Sequence, residues 1–169
     1  NSGFRLSPRL LYDALRAVVY GDLLMRCLYK VRPYELYEGS AEKLHKRWEE
    51  IAVDSLTAKK KKYTYKEVCR GIVEAFDALP VNEKIHKPKV GIVGEILVKY
   101  MPLANNHLVD LLEKEGAEAV VPDLMDFLNY CMLNMEYKHE FLGAGIGSAW
   151  LSKIAVKAIY NIRKPALSA

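Results

Sequence analysis

Apolar residues at Leu11, Leu15, Val18, Val19, Leu23, Leu28 and Val31 recur at helical spacing and predict a long first helix. Ser7 and Pro8 open it in the order of cap then first-turn proline, and Pro33 ends it just past Arg32. Gly21 sits inside this helix at a cost of about 1 kcal/mol against alanine, which predicts a bend or a close neighbour there. Gly39 and Ser40 form a turn and cap before a second helix over about 41–56, with Leu44, Trp48, Ile51 and Ala52 on one face. Thr64 and Glu67 have capping-box spacing, each satisfying an amide that the other leaves free. The third helix then buries Val68, Ile72, Phe76 and Leu79, and Pro80 stops it; 81–87 reads as a polar connector.

The period changes after Pro88. Residues 89–93 form a short β-branched run closed by Gly94, which suits a buried strand. Asn105 or Asn106 can cap a helix whose stripe is Leu108, Leu111 and Leu112, and Gly116 follows its last turn. Residues 117–121 form a second strand. A strand, helix and strand this close predict two parallel neighbours joined by a right-handed crossover. Ligands in such sheets sit beyond the strand C-termini, which here means Gly94, Glu95 and the loop to Asn105. A further helix starts at Pro122 and Asp123, 137–147 reads as an irregular glycine-bearing loop, Ser148 caps a last helix, and Pro165 ends it. The expected fold is α/β and α-rich: a helical part over 1–87, then a partial Rossmann-like parallel βαβ unit with flanking helices over 88–169. Two strands make an incomplete sheet, so the chain is expected to be a piece of a longer protein or to be completed by other chains.

The segments VGIVGEILVKY and PLANNHLVDLLEKEGAE resemble the domain shared by 2-hydroxyglutaryl-CoA dehydratase components and the proteins related to their activator. The likeness extends to GDLLMRCLYKVRPYE in the first helix, and to Phe141–Gly145 followed by SKIAVKAIYNIRKP, which fit the activator-related branch. It implies anaerobic acyl-CoA chemistry. In the intact protein a cysteine-held iron–sulfur cluster would pass an electron into a 2-hydroxyacyl-CoA. The implied partners are an acyl-CoA substrate or another dehydratase or activator subunit. In the family, further strands and a cysteine-bearing segment follow the point where this chain stops, so this chain alone is expected to be inactive.

Charge and composition narrow the alternatives. Of 169 residues 51% are hydrophobic and 27% charged, which suits one globular domain with a real core. The net charge of +4 is mild, and much of it lies in the lysine run 59–62, which reads as a solvated loop rather than a nucleic-acid patch. No apolar run reaches the ~20 residues that span a bilayer. Three widely spaced cysteines make no disulfide framework, so a cytoplasmic setting is expected.

Candidate chemistry follows from residue types and spacing. A cluster needs soft ligands converging from loops, whereas Cys27, Cys69 and Cys131 each lie in a helical pattern without a C-x-x-C. Each reads first as a small core residue, and Cys131 is the least unlikely ligand because its helix begins at the strand end. Gly91 and Gly94 before a helix suggest anion cradling, but the text is neither a Walker loop nor G-x-G-x-x-G. Gly143, Gly145 and Gly147 read as a hinge. Glu95 is the candidate general acid or base. Gly94, Lys99, Tyr100, Asn105 and Asn106 are the candidate ligand-binding residues, with the asparagines placed to orient a thioester carbonyl. The bland alternative is that Glu95 pairs with Lys99 and the asparagines only cap a helix. The four histidines show no metal spacing and no nucleophile elbow occurs. The other functional readings are a non-catalytic interaction domain docking an ATPase activator to an iron–sulfur partner, and a stand-alone nucleotide-binding domain.

Overall fold

The structure, a computed structural model, describes residues 7–60, 62–143 and 146–169. Its α-helices are α1 (Pro8–Val31), α2 (Ser40–Thr57), α3 (Tyr65–Asp77), α4 (Ile96–Tyr100), α5 (Leu108–Lys114), α6 (Leu124–Leu142) and α7 (Ile146–Leu167). The strands β1 (Lys89–Gly91) and β2 (Glu118–Val120) pair in parallel with the register Lys89↔Glu118, Val90↔Ala119 and Gly91↔Val120. The chain is therefore an α-rich α/β protein with a small parallel sheet.

Helix starts follow their capping chemistry. The Ser7 hydroxyl accepts the Leu10 amide at 3.1 Å, with Pro8 in the first turn. Thr64 and Glu67 close the reciprocal box ahead of α3, at 3.3 and 2.7 Å. The start of α2 is held differently. Gly39 takes a left-handed conformation at φ +79, and Glu35 accepts the Gly39 and Ala41 amides and the Ser40 hydroxyl. Burial pushes the Glu35 carboxyl up, but these donors outweigh it and hold the carboxyl below its ordinary value.

Three apolar clusters form the core, and α1 contributes to each. Tyr20, Leu24 and Leu28 meet Ala52 of α2 and Val68, Ile72 and Phe76 of α3. Val19 meets Met125 of α6 and Ile159 and Ile162 of α7. Met25 and Tyr29 pack on Ile92, Ala119 and Val121, whose same sheet face also receives Leu108, Val109 and Leu112 of α5.

Several sequence expectations are corrected. The segment predicted as loop after Gly94 contains α4 and a 3-10 turn over Pro102–Ala104, because Glu95 supplies a cap where no apolar stripe announced a helix. The strands are shorter than predicted, and β1, expected to be buried, is exposed at each of its residues. Residues 137–142 are helical; Gly143 at φ +70 closes α6, so glycine marks the end of a helix there rather than a long hinge. Gly145 lies outside the described residues. Ser148 lies inside α7, which begins at Ile146, and Pro165 also lies inside it, in the final turn, where it gives up the amide bond to the carbonyl four residues back.

Gly21 has no close neighbour: a Cβ built there meets nothing within 4 Å, and α1 runs through it unbroken. Gly71 is the opposite case, since a Cβ there would run into Cη2 of Trp48. The same substitution should therefore have opposite signs. Gly21→Ala is expected to stabilise by roughly 0.5–1 kcal/mol by removing the helix penalty. Gly71→Ala is expected to destabilise by about 1–3 kcal/mol through overpacking against the indole. Urea unfolding of the two variants beside the parent measures both.

Candidate functional site

The segment that leaves β1 brings six of the sequence-predicted residues together at the carboxyl end of the sheet. Gly94 turns the chain at φ +146. Glu95 is the N-cap of α4: its Oε2 accepts the amides of Leu97 at 2.8 Å and Val98 at 3.3 Å. Its carboxylate is thus engaged by backbone, and no Glu95–Lys99 ion pair occurs among the described residues. Lys99 instead lies over the Tyr100 ring, 4.7 Å from its centroid. The Tyr100 hydroxyl donates to the Pro122 carbonyl and ties α4 to the end of β2. Burial, reinforced by the nearby Asp22, Asp123 and Asp126, pushes this phenol up to about 12, so it stays a donor.

Asn105 holds the crest from the inside. Its Nδ2 donates to the Val98 carbonyl at 2.8 Å, and its Oδ1 accepts the Leu108 amide at 3.1 Å, the capping role expected of it. The N-cap position itself belongs to His107. Asn106 and His107 both take left-handed backbone, at φ +55 and +54. Asn106 is exposed, and its side-chain amide makes no hydrogen bond among the described residues.

This crest is a surface and not a cavity. Val93 and Leu103 are exposed at 83% and 81%, and Leu97, Val98 and Met101 are exposed around them. The hollow beside Lys99, Tyr100 and Asn105 holds about 50 Å³. The larger space lies elsewhere. A groove of about 450 Å³ runs along β2, floored by Leu23, Val73 and Phe76 and edged by Arg26, Lys30 and Lys89. It adjoins a second of about 400 Å³ that shares Lys30, Phe76, Asp77, Lys89 and Glu118 with it. Neither touches residues 94–106. Within the groove Lys89 pairs with Glu118 at 3.4 Å, and Tyr34 donates to the same carboxylate at 2.7 Å. Lys30 makes no ion pair among the described residues.

The three cysteines lie on three different helices, α1, α3 and α6. Cys69 is fully buried in the core of α1–α3, Cys27 packs against that core from α1, and Cys131 is half-buried on α6. Burial pushes the Cys27 and Cys69 thiols up to about 11, which disfavours the thiolate that binds iron. No group of three potential metal ligands occurs among the described residues.

Sequence reasoning missed a buried polar node below the crest. Asp22 of α1 accepts the Leu124 and Met125 amides at 2.8 and 2.9 Å and so caps α6 from another helix. Asp123 beside it pairs with Arg163 at 2.9 Å and Arg26 at 3.3 Å, and Arg163 also reaches Asp126. The available signal was an acid in the apolar run VVYGDLL. A second node centres on Arg32, which grips Glu113 through two nitrogens at 2.7 and 3.1 Å and also meets Glu42 and Asp110.

Burial pushes Asp22 from its ordinary 3.8 up to about 6, against the two amides and Arg163, which pull it down. The folded chain therefore holds this proton more tightly than the unfolded chain. The stability linked to protonation is full below the ordinary value and is lost as pH rises through about 6, on the order of 2–3 kcal/mol in all. Denaturation free energies across this window should fall with rising pH in the parent. Asp22→Asn is expected to flatten that slope while lowering stability throughout, since an amide accepts only one of the two backbone donors well.

No family model, curated protein or solved structure matches this chain.

Proposed function

We propose that this chain is a domain of a 2-hydroxyacyl-CoA dehydratase or activator-related protein, and that β1, α5 and β2 form part of a Rossmann-like βαβ unit within it. It supports cluster-dependent electron transfer to, or dehydration of, an acyl-CoA by holding substrate rather than iron. The observation that carries this reading is the groove along β2. Its volume of about 450 Å³ is in the range of small-molecule sites, about 300–1,000 Å³. Its apolar floor suits an acyl chain, and Lys30 with Lys89, the latter shared with Glu118, suits the phosphates of coenzyme A beside the carboxylate of Asp77. Glu95 remains the candidate acid or base and Gly94, Lys99, Tyr100, Asn105 and Asn106 the candidate ligand-binding residues of a separate contact at the crest, outside this groove. The cluster belongs to cysteines outside this chain.

A second reading is favoured by the crest. Glu95 and Asn105 direct their polar atoms at backbone, while Val93, Leu97 and Leu103 face outward. That suits a non-catalytic domain that docks an activator against an iron–sulfur partner.

Calorimetry with a short-chain acyl-CoA separates the two. Under the first reading the chain binds it, and Lys30→Glu with Lys89→Glu weakens binding at least tenfold, about 1.4 kcal/mol. Absence of binding by the parent chain would leave the docking reading. Glu95→Gln is expected to leave affinity unchanged and lower turnover in the intact protein; unchanged turnover would remove Glu95 from the chemistry. Anaerobic reconstitution is expected to load no iron on this chain.

A further inference from the structure

The two longest helices of the second half carry more apolar surface than their neighbours cover. Helix α6 buries one face: Met125 is fully buried, with Leu128 and Met132 packed beside it. A helix with one buried neighbour needs one apolar stripe. Here a second stripe, Tyr130, Leu133, Tyr137 and Phe141, recurs at i, i+3, i+7 and i+11 on a different face. It is about 16 Å long at the α-helical rise. Tyr137 and Phe141 already stack within it, with ring centroids 4.6 Å apart. Helix α7 adds exposed Trp150 and Ile154.

We propose that this stripe is an interface between two copies of this chain, joined antiparallel along α6 about a two-fold axis. The first argument is area. The six side chains are exposed at 46% to 67%. Covering what they expose removes on the order of 700 Å² per copy, given the 150–250 Å² that a large aromatic buries. A stable interface of standard size takes about 800 Å² per partner, which the polar rim can complete. The second argument is charge. Helix α6 carries Asp126, Glu136 and Glu140 against Lys138, and Arg163 and Lys153 of α7 already pair with Asp126 and Glu136, which leaves Glu140 as the carboxylate that can face a partner. An isologous antiparallel pairing centred midway between Leu133 and Tyr137 sets Tyr130 of one copy opposite Glu140 of the other, a phenol donor facing a carboxylate. It also opposes the two helix dipoles.

Sedimentation equilibrium across micromolar concentrations tests the proposal. The expected result is a reversible dimer. Leu133→Arg and Tyr137→Glu should each weaken it at least tenfold with unchanged helicity, since neither side chain belongs to the core. Leu103→Arg, on the exposed crest, should leave it intact. A parent chain that stays monomeric overturns the proposal, as does a dimer that survives both stripe variants or is lost in Leu103→Arg. Where a stripe variant misfolds, hydrogen exchange of the parent decides. Protection of residues 130–141 that rises with protein concentration supports the interface, and its absence refutes it. A parent monomer that instead binds phosphatidylserine vesicles also overturns it.

Discussion

Helix α1 has three sets of neighbours and must satisfy them with residues drawn from the same few turns. Between Val19 and Tyr29 successive positions serve α6 and α7, then α2 and α3, then the sheet. Asp22 adds a polar tie from the middle of this stretch to the first turn of α6. A helix packed on most of its circumference has little freedom to tilt or slide, because close-packed interiors transmit displacement rather than absorb it. The crest is thereby held as well: Met25 and Tyr29 support the sheet, the sheet carries Gly94 and Glu95, and Tyr100 returns to the chain at Pro122.

Much of the framework is legible in sequence because it rests on local rules. Ser7 with Pro8, Thr64 with Glu67, and Gly116 after α5 each act through residues within one turn of their own helix. The parallel pairing of β1 and β2 also follows from two short β-branched runs around a helical stripe. What is not legible depends on partners distant in sequence. Nothing local to α6 says that its cap is Asp22, and nothing near α2 marks Glu35 as an acceptor for its first amides. Polar text over 137–142 hid a helix because its exposed tyrosine and phenylalanine face away from the core.

The candidate site divides the same way. Its residues were found at the strand end, as the parallel pattern implies, yet the space suited to a small molecule lies along β2, between elements that only the tertiary fold brings together. Glu95 shows why residue type alone misleads. A carboxylate at a strand terminus suits proton transfer, and it equally suits the free amides of a five-residue helix that has no other cap.

The cap that Asp22 gives α6 also bears on how the chain assembles. The donor amides lie 102 and 103 residues downstream of the acceptor, so the first turn of α6 gains its end group only when the two halves of the chain meet. Closing so long a segment costs entropy before any contact repays it, although that cost grows only with the logarithm of length. The α6–α7 pair rests on contacts local in sequence, whereas the leading turn of α6 has its side-chain cap only when α1 is seated. Partial unfolding should follow the same dependence in reverse: a chain that releases α1 loses the start of α6 with it, and the two behave as one cooperative unit.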